Sequence, residues 1–490
     1  MQRIEFKEKS VEVAIFQFIF PFSFKEGIEQ KIFPFLLEQQ FKHFKLDHLE
    51  YEDAFYGDYG VSHREMEAYF LPFTNQILFP FTEHQKGFQR YSKALNINAY
   101  LTTDFVRIPF QVHSIDVLLC PYELGFLTIR TEIKKAKDLS LSDAIEFASC
   151  FRVLEPKKER DSKTNIECDG EIYHQVKNFI FHKLFDGMTE FFEKKNIKNA
   201  YFERFPFFED ERMYVQSLIS LSENETIDLA DVYRSGSFSG LTLDGKPFIS
   251  ANNLSYISKY LEEHGFFRWA PDTYFSMEEH SFTCITNENS KMTSILASQI
   301  YGELYYGVIL NFFHKIVLLK MAYEYSELNL ERDKKEIEKL IYSINAFTAN
   351  YFFLELASQS QGRDIFEHLR KSFNIELLYS DAKQTLHSLI KYQENTNAKK
   401  DSLLLLVLTL YSVIGQMFGM NLVTSDFIGK IKWKHMLSYN PLEYLALFVA
   451  CTGVIISLGL GIQSIYQWIV DRKNRKKWFH QTVLSSTKEK

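Results

Sequence analysis

The stretch LLLLVLTLYSVIGQMFGMN, Leu403 to Asn421, decides how this chain is read. Its first sixteen residues, Leu403 to Phe418, carry no charge. As a helix they span about 24 Å, short of a hydrocarbon core of about 30 Å. The preceding residues KYQENTNAKKDS (391–402) keep the helical pattern but are polar. One long helix is therefore expected to run from water into apolar surroundings and to stop at Gly419. Asn395, Ala398, Ser402, Leu405, Thr409, Ser412 and Gln416 follow one another in steps of three and four, forming a single stripe. Five of the seven are polar and none is charged, whereas Leu403, Leu404, Leu406, Val407, Leu408, Leu410 and Val413 make the other faces aliphatic. A polar stripe on a membrane helix faces protein or water, not lipid. Interhelical hydrogen bonding would satisfy that demand, and so would a water-filled pore, which is the reading adopted.

A second apolar run, Tyr444 to Val470, has 27 residues without a charge, enough for about 40 Å of helix. Glu443 and Asp471 bound it, and Tyr466 and Trp468 stand where an interfacial aromatic belt belongs. Gly453, Gly459 and Gly461 would let it pack closely on the first run. Five Lys and Arg lie in DRKNRKKW (471–478), and Lys399 and Lys400 precede the first run. The positive-inside rule then puts both termini in the cytoplasm, with residues 422–440 as the outer loop and Asn421 at its entrance. The chain is expected in the plasma membrane as a two-span protein.

The rest of the composition fits this picture. The 490 residues include 47 Phe and 27 Tyr and are 46% apolar, so a large core is expected. The five Cys, at 120, 150, 168, 284 and 451, form no C-x-x-C pair, which fits a reducing compartment and excludes a thiolate zinc site. The charged N-terminus MQRIEFKEKSVEVAIFQF lacks a signal-peptide pattern. From Asp401 onward, ten Lys and Arg meet five Asp and Glu, a net +5; the total of −7 leaves −12 on residues 1–400. Such an acidic body argues against nucleic acid as a partner.

Together, the two-span C-terminal hairpin, Gly419-Met420-Asn421 at the outer end of the first span, and the basic, Trp-containing end resemble the CorA family of magnesium transporters. The resemblance is close over the membrane part and a matter of element order over residues 110–400. It implies a homopentamer in which five first spans line one pore and five Gly-Met-Asn segments form its selectivity filter. Asn395, Ser402, Leu405, Thr409, Ser412 and Gln416 would be pore-lining, and Asn421 would offer an amide oxygen to the cation, Mg²⁺ first. Mg²⁺ dehydrates reluctantly, and neutral amide oxygens can accept hydrogen bonds from its waters without stripping them. Two departures matter. The outer loop LVTSDFIGKIKWKHMLSYN has one Asp against Lys430, Lys432 and Lys434, and a basic rim lowers the local cation concentration. The chain is also longer than family members commonly are, with the excess at its N-terminus. Long CorA-like proteins are thought to serve as membrane effectors of type III CRISPR antiviral systems. That alternative implies gating by a nucleotide second messenger bound to the cytosolic domain.

The expected fold class is an α+β cytosolic part with long helices, then a stalk helix and two transmembrane helices. The expected domains are an added aromatic-rich module (1–108), a mixed α/β domain (109–290), long helices and stalk (291–401), the first span (402–421), the outer loop (422–440), the second span (441–470) and a basic tail (471–490). Ser114 to Ile133 reads as strand, turn, strand, with Pro121 and Gly125 as punctuation. Residues 141–153 and 172–194 read as helices, and 213–221, 241–249 and 280–286 as strands. Residues 254–259 are helical; 292–328 and 332–373 each read as one long helix, and Asn374 as the N-cap of the third. Phe-Pro-Phe recurs at 20–22, 33–35, 79–81 and 205–207. It is read as aromatic wedges at extended prolines, with a stacking surface for a planar ligand as the alternative. No enzyme is expected: SGSFSG (235–240) has Phe238 where a nucleophile elbow needs Ser, and it lacks a P-loop Lys.

Overall fold

The computed structural model describes residues 4, 6–25, 27–82, 87–134, 139–156, 163–192, 212–330 and 332–422, with 440–442, 444, 445, 448, 451–453, 455, 459, 462 and 466. Lys430, Lys432, Lys434, Gly461, Trp468, residues 471–490 and the Phe-Pro-Phe at 205–207 lie outside the described residues. The chain divides into two compact units, residues 1–327 with 345–382 and 481–490, and residues 328–344 with 383–480.

The first unit is built on an eleven-stranded sheet. Its strands are β1 (Val11–Ser23), β2 (Lys42–His43), β3 (Gln89–Thr102), β4 (Arg107–Cys120), β5 (Leu124–Lys134), β6 (Asn165–Cys168), β7 (Glu171–Tyr173), β8 (Tyr214–Leu221), β9 (Gly265–Ala270), β10 (Thr273–Met277) and β11 (Ser281–Thr286). The order is β7-β6-β3-β4-β5-β1-β8-β11-β10-β9, with β2 on β3. Among the described strands, only the β8–β11 pairing is parallel. β1 is central, antiparallel to both β5 and β8. Residues 1–108 are therefore no added module: β1 and β3 belong to the same sheet as β4, β5 and β8, so a boundary at 108 would cut a ladder. Central β1 contains Pro21, which cannot donate to a ladder. Its pairing with β8 stops at Ile19, so Pro21 lies where no donor is needed on that side.

The two faces of β1 are chemically unlike. On one, Phe16 and Phe18 meet Phe147 and Phe151 of the helix Leu141–Phe151, with centroids 5.4 and 4.5 Å apart. On the other, Gln17 is buried and donates to the carbonyl of Ile300. This second face is covered by the helices Ser290–Tyr301 and Glu303–Glu327. Among the described residues, Ser290–Glu327 is the one stretch long and apolar enough to cross a membrane, and it is mostly buried as the core helix pair of this body.

Several sequence expectations need correction. Residues 292–328 are not one helix; Gly302 breaks it where a Cβ would stand 2.9 Å from the Ser298 carbonyl oxygen. Residues 332–373 form two helices, Lys334–Asn350 and Ser360–Ser372, because the chain between them pairs with residues 69–71: Leu71 N–H donates to Leu356 O and Ser358 N–H to Tyr69 O. Residues 172–194 are not one helix; the described part carries β7, a short α-helix Val176–Asn178 continued by the π-helix Phe179–Leu184, and a 3-10 turn after Gly187 at φ +79°. Residues 241–249 make only the isolated bridge Leu241–Pro247 around the Asp244-Gly245 turn. Asn374 stands at the expected N-cap position, directly before the helix Ile375–Leu422, and its carbonyl accepts from Leu378 N–H; its backbone is left-handed, φ 55°, as it leaves the helix Ser360–Ser372. Gly125 is not the turn. Tyr122 and Glu123 make it with positive φ, while Gly125 pairs with Phe22, whose ring occupies the space a Cβ would need. The β4–β5 hairpin itself lies where its sequence puts it.

The helix Ile375–Leu422, which belongs to the second unit from Lys383 onward, runs unbroken through its 48 residues. It does not stop at Gly419. Within the unit, Gln393 Nε2 donates to Glu338 Oε1. Every described residue from Pro441 to Tyr466 is helical.

Candidate functional site

The sequence places its main site on the helix Ile375–Leu422. Gly419, Met420 and Asn421 lie on its last turn, and Asn395, Ser402, Leu405, Thr409, Ser412 and Gln416 lie upstream. All six upstream residues are exposed, with Leu405 68% exposed. So are Leu403, Leu404, Leu406, Leu408, Leu410 and Val413 on the other faces. Val407 and Tyr411 are half-buried. A Cβ on Gly453 would stand 3.2 Å from Tyr411 Cδ1, so the second apolar helix passes at Tyr411 with only backbone to spare. At about 100° per residue, Val407 and Tyr411 fall on one side of the helix. The positions 402, 405, 409, 412 and 416 centre on the opposite side. The polar stripe thus faces away from the chain's own second helix. Ser402, Leu405 and Thr409, together with Leu406, Leu410 and Val413 of the adjoining aliphatic face, line an open groove of about 510 Å³ along one edge of the stripe. Thr409 donates its hydroxyl proton to the carbonyl of Leu405, which pairs that proton while its oxygen can still accept.

Exposed apolar side chains continue on the second segment, through Leu442, Tyr444, Leu445, Phe448, Ile455, Ile462 and Tyr466. Contiguous exposure on this scale marks a surface that is covered by something other than water.

The first unit holds three features that the sequence did not announce. The first is a charge cluster buried on the second face of the sheet. Asp116 Oδ2 lies 2.8 Å from Arg90 Nε and 2.7 Å from Arg130 Nη1. All three are almost wholly buried. Arg90 also donates to the hydroxyls of Ser92, Tyr306 and Tyr56, each at 3.1 Å, and Arg130 donates to Gln17 Oε1 at 2.9 Å. Burial works against the Arg90 charge, but Asp116 and the tyrosine hydroxyls outweigh it and hold the guanidinium protonated.

The second is a cleft of about 600 Å³ lined by Tyr260, Glu262, His264, Glu278, Glu279, His280, His368 and Lys371, among others. Burial pushes the Glu278 carboxyl up to about 7. Burial also raises the Tyr260 phenol, and lowers His368. The third is a cavity of about 660 Å³ lined by the rings of Phe44, Phe70, Phe79 and Phe81. The Phe-Pro-Phe at 79–81 supplied a partial signal for it. Phe33-Pro34-Phe35 belongs instead to the helix Glu29–Glu38, with Pro34 inside that helix.

Among the described residues, no three His, Cys, Asp or Glu side chains gather as a metal site. Compared with known proteins, the chain matches no family model, no curated protein and no solved structure.

Proposed function

We propose that this chain is a CorA-like, two-span plasma-membrane protein that assembles as a homopentamer and passes divalent cations, Mg²⁺ first. The helix Ile375–Leu422 would carry the pore through Asn395, Ser402, Leu405, Thr409, Ser412 and Gln416. Gly419, Met420 and Asn421 would form its outer mouth, where the Asn421 amide meets the hydrated ion. One observation carries the reading: the uncharged polar stripe is exposed and opposite the side that packs on Gly453. In a membrane, exposed polar groups need water or protein, and copies of the same stripe around an axis supply both. The test is divalent flux into liposomes holding the purified full-length protein. Thr409→Leu and Ser412→Leu, which line the pore with apolar groups, should cut flux at least tenfold by dewetting, with assembly unchanged. Equal loss in Leu406→Ala and Leu410→Ala would refute this assignment of faces.

The loop sequence favours a second reading. Lys430, Lys432 and Lys434 against a single Asp426 make a poor collector of divalent cations. A pore opened on demand by a nucleotide messenger, as in a CRISPR-associated CorA-like effector, has no need of efficient capture. Growth rescue at micromolar magnesium of cells lacking their magnesium transporters would remove this second reading.

A further inference from the structure

We infer that Lys391 sets the charge selectivity of the proposed pore: copies of its ammonium ring the cytoplasmic end of the stripe and hold back divalent cations more strongly than monovalent ones. The inference rests on the pentameric pore reading and adds to it a residue that the uncharged stripe does not include.

The stripe does not begin at Asn395. Counting back along the helix Ile375–Leu422 in the same steps of three and four gives Lys391, Ser388 and Gln384. All three are exposed, as are Asn395, Ala398 and Ser402. At about 100° per residue these six positions point one way, and Lys391 lies within about 20° of their mean direction. The helix packs on its other side. Leu389 is 1% exposed and Gln393 donates to Glu338 Oε1, and both stand about 140–180° from that direction. Val407 and Tyr411, half-buried near Gly453, fall on the same packed side. One face of the helix is therefore left open from Gln384 to Gln416, and Lys391 stands near its middle line.

Lys391 is the one charged residue at a stripe position between Gln384 and Gln416. The other charged or titratable groups flank it. At about 100° per residue, His387 and Lys399 stand about 60° from the mean direction, Glu394 about 80°, and Lys383 and Asp401 about 100°. Among the described residues, no carboxylate lies within ion-pair reach of Lys391. Eleven residues, about 16 Å of helix, separate it from Ser402, so its ammonium sits ahead of the apolar part of the span. Five copies about one axis would put five ammonium groups on the watery path to that span. Rings of Lys or Arg suit anion pores, whereas cation pores carry Asp or Glu rings. Coulomb repulsion grows with the charge of the ion, so Mg²⁺ meets about twice the barrier that K⁺ meets. The stripe from Asn395 to Gln416 carries no charge to offset it.

The test is paired Mg²⁺ and K⁺ flux into liposomes holding the full-length protein. Lys391→Gln should raise the Mg²⁺-to-K⁺ flux ratio about tenfold at roughly 0.01 M salt, where screening acts over about 30 Å, and about twofold or less at roughly 1 M, where it acts over about 3 Å. Lys391→Arg, which keeps the charge, should keep the parent's ratio. So should Lys400→Gln, which removes the same charge from the opposite side of the helix. A ratio unchanged in Lys391→Gln, or raised equally in Lys400→Gln, overturns the assignment and leaves the pore reading standing. No flux of either ion through the parent overturns both. Cross-linking gives a reading independent of conduction. Treated with a short bismaleimide, Lys391→Cys should link neighbouring copies above the parent's background, and Lys400→Cys should not. Absence of a link at position 391, or an equal one at position 400, overturns the ring.

Discussion

Asp116→Asn should be one of the most damaging single substitutions in the sheet-built first unit. The change keeps shape and removes one charge. In the parent, Asp116 lies within 2.8 Å of two guanidiniums, both almost wholly buried. After the change, Arg90 and Arg130 would face each other with no anion between them. Breaking a buried ion pair by removing one partner costs about 3–5 kcal/mol. Unfolding entropy near 2.1 cal/mol/K per residue, over roughly 300 residues, makes about 0.6 kcal/mol/K. The melting temperature should therefore fall by about 5–8 °C. Circular dichroism of the full-length protein in detergent, heated slowly, would follow the loss of sheet signal. A second substitution sharpens the reasoning. Arg130→Met added to Asp116→Asn removes one stranded charge and leaves Arg90 its neutral partners, Ser92, Tyr56 and Tyr306. The double variant should melt above the single one. If Asp116→Asn stays within about 1 °C of the parent, or the double variant is worse, the cluster is not an electrostatic unit.

Two further outcomes are expected. Burial raises Glu278 from an ordinary 4.5 to about 7, so the folded state favours its neutral form. That contribution is complete below pH 4.5 and is lost as pH rises through 7; Glu278→Gln should melt higher than the parent at pH 8, by at most about 3 kcal/mol, and not at pH 4.5, and an equal gain at both pH values would exclude titration as the cause. At Gly453, where a Cβ would already stand 3.2 Å from Tyr411, Gly453→Leu should force the two apolar helices apart and shift the detergent-solubilised assembly to smaller species in light scattering; an unchanged mass would show that this contact does not support assembly.

The sequence was most legible where local signals and tertiary demands agreed. β4 and β5 alternate strongly and flank Pro121, so their hairpin could be read directly. β8 and β11 mix apolar with hydroxylic residues over eight and six positions, and both were placed as strands. What failed depended on partners distant in sequence. No local signal shows that residues 351–359 leave the helix to pair with 69–71. Gly125 carries turn chemistry, but its role is to make room for the Phe22 ring from across the sheet. The charge cluster had a faint trace, since Asp116 and Arg130 interrupt strands that are otherwise largely apolar or hydroxylic. Two such charges imply a partner, but only the register, which sets Asp116 opposite Thr128 and Ser114 opposite Arg130, shows that they meet. The cavity was the least legible feature. Its walls come from residues 44–47, 67–81 and 358, and only the Phe-Pro-Phe at 79–81 hinted at it.

Gly419 presents the sharpest conflict between signal and outcome. In water, Gly after an apolar run ends a helix, yet here the helix continues to Leu422. In hydrocarbon the balance reverses, because leaving the helix exposes carbonyls with no solvent to satisfy them. In the proposed membrane setting, Leu403 to Leu422 would span about 30 Å, a full hydrocarbon thickness rather than a short one. Continuity has a consequence for the proposed filter. At about 100° per residue, positions 419 and 420 stay on the stripe's side of the helix, while position 421 turns to the side of Val407. A helix that persists through Asn421 therefore takes that position off the pore axis, and conduction through a ring of Asn421 amides requires the last turn to open at Gly419. Gly419→Ala, worth about 1 kcal/mol of extra helix stability per chain, opposes that opening five times in a pentamer. Flux should fall at least tenfold, and Asn421→Ala should match it with assembly intact. If Asn421→Ala abolishes flux while Gly419→Ala conducts like the parent, the last turn need not unwind. If neither matters, the mouth is elsewhere and the stripe through Thr409 and Ser412 must carry selectivity alone.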